Sequence, residues 1–364
     1  MNFGSKILSL AVLASTSLAV AQVPTGADLK KQIEEACNNA TQKKLSELIT
    51  QATNTPFKGY GDERKTEFDA EAIKQLVEAG ANVCVNMSSD NSSHNWDTPI
   101  NRVLSRAPFA KNSAEVLGTL LAKLPALDEK IQKTCYSSAL VAASKNHRDN
   151  YTRNAAFVSD EVFQLLLSSK IAAADAEVFK EGLKSFIGNG NVARAEALVL
   201  AGANINDRFR GDEYKIHTTL LHTAVQSGKL EMVEFVLRES QRTAKPMTVN
   251  QGTAFDGKDE ERRGISSDTL ENETPLMVAV KRKDQALAEA LIRDLKADVN
   301  AKKKYATRKG EFTGVTALTV AKKDLAAACA DNTKTCKAQL ALIDMLESYG
   351  AKDCTKDPCP VPEQ

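Results

Sequence analysis

The residues able to do covalent or acid–base chemistry are seven cysteines and four histidines. Cys37, Cys84, Cys135, Cys329, Cys336, Cys354 and Cys359 can pair as disulfides, bind metal as thiolates or act as nucleophiles. None stands in C-x-x-C, and His94, His147, His217 and His222 do not cluster with them, so no zinc site is expected. His222 has the chemistry of a general base and His217 lies near it. No Ser, Cys or carboxylate accompanies them at a catalytic spacing. The chain has no G-x-S-x-G, P-loop, H-E-x-x-H, G-x-G-x-x-G or EF-hand loop. No catalytic residue, metal site or cofactor is expected, and disulfide formation is the chemistry left to the cysteines.

Disulfides need an oxidising compartment, and the first residues read as an address for one. Met1–Ala21 has Lys6 as its positive region, Ile7–Ala14 as a short apolar core and Ala19-Val20-Ala21 as a small-x-small cleavage site. Residues 1–21 are therefore expected to be a signal peptide cleaved after Ala21, leaving the protein periplasmic or secreted. The apolar stretch is too short to span a bilayer, and no later segment reaches 18 uninterrupted apolar residues, so no membrane anchor is expected. Five glycosylation sequons, at Asn39, Asn86, Asn91, Asn150 and Asn272, matter only in a eukaryotic secretory source.

Charge excludes another class. The 364 residues carry 48 Lys+Arg against 47 Asp+Glu. Such neutrality argues against a protein whose main partner is a nucleic acid backbone. At 42% hydrophobic and 26% charged the composition is that of an ordinary folded chain. Only 5% is aromatic, which suits a core of Leu, Ala, Val and Ile between short stacked helices.

The elements that hold these residues are set by an internal repeat. Thr219-Leu220-Leu221-His222-Thr223-Ala224 is followed by Ser227-Gly228-Lys229-Leu230-Glu231-Met232-Val233. The frame recurs at Thr274-Pro275-Leu276-Met277-Val278-Ala279 and Thr316-Ala317-Leu318-Thr319-Val320-Ala321. It is degenerate at Thr98-Pro99-Ile100, at Ser138-Ala139-Leu140 and at Glu181-Gly182-Leu183. A closing signature follows each helical pair: Ala79-Gly80-Ala81-Asn82-Val83, Ala201-Gly202-Ala203-Asn204-Ile205-Asn206, Lys296-Ala297-Asp298-Val299-Asn300 and Tyr349-Gly350-Ala351. With these two signatures the chain resembles the ankyrin-repeat family from about Ala27 to Asp353. The resemblance implies an all-α ankyrin-repeat solenoid of stacked helix pairs, here with enlarged finger loops and insertions.

Local chemistry supports the same elements. Thr caps an orphan N–H, Pro is tolerated in the first helical turn, and Gly accepts the left-handed backbone at turns and helix stops. Gly188-Asn189-Gly190-Asn191 reads as such a turn and not as a phosphate loop. In this frame His222 is a hydrogen-bonding residue between repeats. Copies headed at positions 98, 138, 181, 219, 274 and 316 lie farther apart than the family's repeat of about 33 residues, so each step carries an insertion. Asn146–Val158 lengthens a turn between helices, Asn250–Asn272 a finger, and Ala326–Cys336 the helix turn of the last repeat. Residues 22–353 form the array, with a cap helix expected in 22–40. Thr41–Gln51 and Asp69–Ala79 are read as a split first repeat, and 354–364 as a Pro- and Cys-containing tail.

The fingers carry the candidate partner-binding residues. Asp207–Thr218 contributes Phe209, Arg210 and Tyr214, and Ala301–Gly314 contributes Tyr305, Arg308 and Phe312. Phe255 belongs to the long finger and Trp96, the single Trp, to the first. Aromatic and Arg side chains dominate protein–protein hot spots, although the same rings can instead pack inside their own fingers. The resemblance implies a non-enzymatic protein–protein interaction scaffold that binds a partner protein through finger loops and the concave helix face; it is expected to be monomeric, and its neutral charge argues against a nucleic acid partner. A ligand-binding or enzymatic site built from the insertions is the alternative.

Cys329 and Cys336 flank the inserted turn of the last repeat and are expected to pair. Cys354 and Cys359 enclose Thr355-Lys356-Asp357-Pro358 and are expected to do the same. If Asp28–Cys37 is a cap helix antiparallel to the next, Cys37 meets Cys84 and Cys135 is the free thiol. If Cys37 instead ends the first helix of an ordinary repeat, Cys84–Cys135 is the better pairing.

Overall fold

The computed structural model describes residues 42–53, 67–85, 97–148, 155–169, 176–210, 216–255, 270–271, 273–305, 314–331 and 333–353. The expected signal peptide, the cap helix expected in 22–40 and the tail 354–364 lie outside them, with Cys37, Cys354 and Cys359. The chain divides into two compact units, Met1–Gly182 and Leu183–Gln364.

The first unit stacks helix pairs. α1 (Gln42–Thr53) buries Leu45, Leu48, Ile49 and Ala52, and α2 (Ala70–Glu78) buries Ala72, Ile73, Leu76 and Val77. These three- and four-residue spacings give each helix one apolar stripe, and the two stripes face each other. Asp69 caps α2 by accepting from the Ala72 N–H at 3.0 Å. α3 (Pro99–Arg106) begins after Thr98, whose hydroxyl accepts from the Asn101 N–H, and has Pro99 in its first turn as the motif requires. α4 (Ser113–Leu121) follows. Asn112, beside it, exchanges two hydrogen bonds with the backbone of Phe68, at 2.8 and 2.9 Å.

α5 (Glu129–Ser144) departs from the expected frame. Ser138 was expected at its head and lies instead inside it, because Asp128 caps the helix well upstream. The Ser138 hydroxyl accepts from the Asn101 side chain at 2.6 Å. The insertion after α5 forms an antiparallel hairpin, β1 (His147–Arg148) with β2 (Ala155–Ala156), ahead of α6 (Asp160–Leu167). First helices α1, α3 and α5 pack in succession, as do second helices α2, α4 and α6.

The longer α5 also decides a disulfide. Cys135 lies within it and is joined to Cys84, which stands just past the Gly80 helix stop, with a Cα–Cα distance of 5.7 Å. This corrects the expected Cys37–Cys84 bridge and the free thiol at Cys135. Next to Cys135, Tyr136 is fully buried, donates to the Leu166 carbonyl at 2.8 Å and meets Phe179 edge-on. Burial pushes its phenol up to about 12.

In the second unit α7 (Lys180–Gly188, which begins before the division) is followed by α8 (Val192–Leu200), α9 (Leu220–Ser227) and α10 (Leu230–Ser240). Next come α11 (Pro275–Lys281) and α12 (Gln285–Arg293). The last repeat has α13 (Ala317–Lys323), α14 (Leu325–Asp331) and α15 (Thr333–Ser348). First helices α9, α11 and α13 pack side by side; α8 packs on α10, and α12 on α15. The insertion expected in the last helix turn is thus helical. Cys329 and Cys336 bridge α14 to α15 as expected, with Cα atoms 4.3 Å apart.

Gly228 ends α9 at φ 76° and Gly202 follows α8 at φ 107°. One repeat on from Gly228 the same position is Lys283, and two repeats on from Gly202 it is Lys296, at φ 59° and 60°. The left-handed backbone is a demand of the frame, met there at a steric cost by residues with a Cβ.

Candidate partner-binding fingers

Each finger is anchored by its closing signature. Asn82, Asn204 and Asp298 fold the chain back by accepting from the backbone N–H two residues on, at 2.9, 3.0 and 2.9 Å. The next signature residue reaches into the following repeat. Asn206 donates to the Thr243 hydroxyl at 2.6 Å and accepts from Ser240 at 2.9 Å. Asn300 donates to the Gly350 carbonyl at 3.1 Å and accepts from the Lys352 N–H at 2.8 Å. These amides fix where each finger starts relative to the next helix pair.

From those anchors the fingers run as strands. β3 (Arg208–Arg210) pairs antiparallel with β4 (Ile216–Thr219), placing Phe209 opposite Thr218. β4 also pairs with β5 (Ala254–Phe255), which opens the long finger. β6 (Leu270–Glu271), closing that finger, pairs with β7 (Lys303–Tyr305), and β7 with β8 (Gly314–Val315). The two strands of the long finger therefore each join a neighbouring finger. At its base the Thr253 N–H donates to the Glu273 carbonyl at 3.1 Å, and the Glu273 N–H to the Thr253 hydroxyl at 3.0 Å. Successive fingers share ladders of backbone hydrogen bonds.

The register corrects one binding residue. Strand neighbours face opposite ways, so Phe209 turns from its exposed neighbour Arg208 into the core. Phe209 is 3% exposed, with the Lys184 ammonium 4.6 Å from its ring centroid. It is internal packing and not an anchor for a partner. Arg210, Phe255 and Tyr305 lie on β3, β5 and β7 as expected for finger residues. Trp96, Tyr214, Arg308 and Phe312 lie outside the described residues.

The motif threonines and His222 stabilise this platform from below. Thr274 and Thr316 cap α11 and α13 by accepting from Met277 and Thr319 N–H groups, each at 3.3 Å. Thr219 makes no such cap; its hydroxyl lies 2.8 Å from His222 Nδ1. His222 Nε2 is 2.6 Å from the Glu273 carbonyl. A carbonyl only accepts, so Nε2 carries the hydrogen and Nδ1 accepts from Thr219. His222 is 2% exposed and bridges its own helix to the head of the next repeat. That is the structural role expected of it.

Burial holds the His222 pKa below its ordinary 6.5, with the Glu273 carbonyl opposing in part. The unfolded chain therefore takes up this proton first as pH falls. The contribution is intact above about pH 6.5 and is lost below it, through the folded-state value. Urea midpoints are expected to fall between pH 7.5 and 5.5 by more in the native sequence than in His222→Gln. Equal falls in the two proteins would show that this imidazole is not kept neutral by the fold.

Among the described residues no group of three or more His, Cys, Asp and Glu is placed to hold a metal ion, and no helix is long and apolar enough to cross a membrane. No curated protein matches the chain. The crystal structure of the ankyrin repeat domain of Bcl-3, described as a unique member of the IkappaB protein family, aligns over 83% of this chain and 97% of its own. The identity is 16% and the TM-score 0.41. Residues 183–303 match the family model for ankyrin repeats in three copies, and the fold class is all-α, with helix pairs stacked as in ankyrin repeats.

Proposed function

We propose that this chain is an exported, non-enzymatic scaffold that binds a partner protein through its fingers. Ankyrin repeats mediate protein–protein interaction, which supports the general reading. The observation that carries it for this chain is the pairing of strands between fingers, β3-β4-β5 and β6-β7-β8. A surface built from such ladders is ordered before a partner arrives, so less freedom is lost on binding. Arg210, Tyr214, Phe255, Tyr305, Arg308, Phe312 and Trp96 are the proposed contact residues, and the sequence of Met1–Ala21 supports a periplasmic or extracellular site of action.

The test is affinity capture from the native envelope and secreted fractions with the full mature chain. The combined variant Arg210→Ala, Tyr214→Ala, Tyr305→Ala and Arg308→Ala is run beside it. Capture of a specific protein is expected to be lost in the variant while the helical circular dichroism is unchanged. Unfolding of the variant would mean that these side chains are internal packing, like Phe209. Undiminished capture would move the interface off the fingers.

A further inference from the structure

We propose that the Cys329–Cys336 bridge is a site of reversible exchange with small thiols, and that its opening releases helix α14 alone. Among the described residues the two bridges differ in what can reach them. Cys84 and Cys135 are 3% and 0% exposed, whereas Cys329 is exposed and Cys336 half-buried. Exchange requires a thiolate to approach a disulfide sulfur, so an exposed bridge reacts directly and a buried one waits for the fold to open. As a staple the exposed bridge is also the weaker, since it spans a separation of 7 against 51.

The helix ends give the exchange a direction. Cys329 lies in the last turn of α14 and Cys336 in the first turn of α15. Negative charge is favoured at a helix N-terminus and disfavoured at a C-terminus, and the exposed Lys337 follows Cys336 in sequence. Cys336 is therefore the better leaving thiolate, and Cys329 carries the more accessible sulfur. A small thiolate attacks Cys329 Sγ and forms a mixed disulfide there. The S–S bond to Cys336 breaks, and Cys336 leaves with the electron pair and takes up a proton. A second thiolate attacks the small thiol's sulfur in the mixed disulfide, so Cys329 leaves and is protonated in turn. Two small thiols are oxidised to one disulfide, and the bridge is reduced to two cysteines.

The rest of the last repeat holds together without the bridge. α15 buries Leu342, Ile343, Met345 and Leu346. Its Gln339 Nε2 donates to the Ala321 carbonyl of α13 at 2.8 Å, and its Glu347 lies 2.9 Å from the Lys322 ammonium. The Thr316 hydroxyl at the head of α13 donates to the Lys352 carbonyl at 2.7 Å. α14 has no comparable hold. Among its described side chains only Ala328 is buried. Its seven residues are fewer than the ~12–15 that a helix needs to persist alone in water. The covalent link to α15 is what keeps α14 in place.

The test incubates the full mature chain with graded reduced glutathione and no denaturant, traps thiols with N-ethylmaleimide and maps the peptides by mass spectrometry. Cys329 and Cys336 are expected to become labelled at least about tenfold faster than Cys84 and Cys135, with the glutathione adduct on Cys329. In chains with Cys84–Cys135 still closed, hydrogen exchange is expected to quicken about thirtyfold at the amides of 325–331 and to stay unchanged at 342–346. The double variant Cys329→Ser and Cys336→Ser is expected to show the same exchange pattern without any reductant. Equal labelling of the two bridges, or resistance of Cys329–Cys336 to glutathione, overturns the exchange site. An adduct on Cys336 in place of Cys329 overturns the direction of attack. Unaltered exchange at 325–331, or faster exchange at 342–346 as well, overturns the selective release of α14, whether seen in the reduced chain or in the variant.

Discussion

Replacing Cys84 and Cys135 by alanine is expected to destabilise the first unit by ~4 kcal/mol. The two residues are 51 apart in sequence and both are buried, at 3% and 0% exposure. Cross-linking them removes the entropy of a long open loop from the unfolded chain, which on chain-entropy arguments amounts to ~4 kcal/mol. Cys329–Cys336 closes a separation of only 7, and the same reasoning gives ~2 kcal/mol for its removal. The bridge at Cys84 should therefore be the more costly to lose. Urea unfolding followed by circular dichroism, with single-bridge variants compared in one buffer, gives both values. Non-reducing peptide mapping fixes the pairing: a Cys84–Cys135 peptide is expected, and a Cys37–Cys84 peptide or free thiols at both positions would refute it.

That bridge also marks where reading the sequence stops working. Thr274, Pro275 and Leu276 announce a helix start through chemistry confined to neighbouring residues, so α11 is legible without any tertiary knowledge. The closing glycines are legible for the same reason, and Lys283 and Lys296 show the frame persisting where the residue type no longer advertises it. Helix α5 is different. Its Ser138-Ala139-Leu140 frame is present, but Asp128 supplies an earlier cap and the apolar stripe continues upstream through Cys135 and Tyr136. A local motif fixes phase, not length, and the cysteine pairing followed from the length.

The fingers were less legible still. Arg208-Phe209-Arg210 alternates polar, apolar, polar, which is the signal of a half-buried strand. That pattern carried the information that Phe209 faces inward, whereas its residue type alone suggested a binding anchor. Pairing between fingers had no such signal. β5 and β6 are two residues each, too short to show a period, and their partners are set by how the helix pairs stack. The side-chain amides of Asn206 and Asn300 set that stacking, and their presence in the closing signature was visible although their targets in the next repeat were not.

The largest effect of a single change is expected at Leu221. It is 0% exposed on α9, which packs against both α10 and α11. Removing a buried leucine side chain costs roughly 2–5 kcal/mol through lost burial and the cavity left behind. An aspartate there adds a carboxylate with no partner in an apolar stripe, a further cost of several kcal/mol unless it takes up a proton. The sum for Leu221→Asp is comparable with the whole stability of a typical domain, ~5–15 kcal/mol. Because each repeat is held by its neighbours, the loss should spread to α11 and to the strands of both adjoining fingers. Leu200→Asp is the matched control: the same substitution, at the end of α8, where the side chain is 81% exposed, should change stability by no more than about 0.5 kcal/mol. Thermal unfolding by circular dichroism separates the two. Leu221→Asp is expected to lose its cooperative transition or melt far below the native chain, while Leu200→Asp melts with it. If both melted with the native chain, the helix register that places Leu221 inward, and the stacking of fingers built on it, would be wrong.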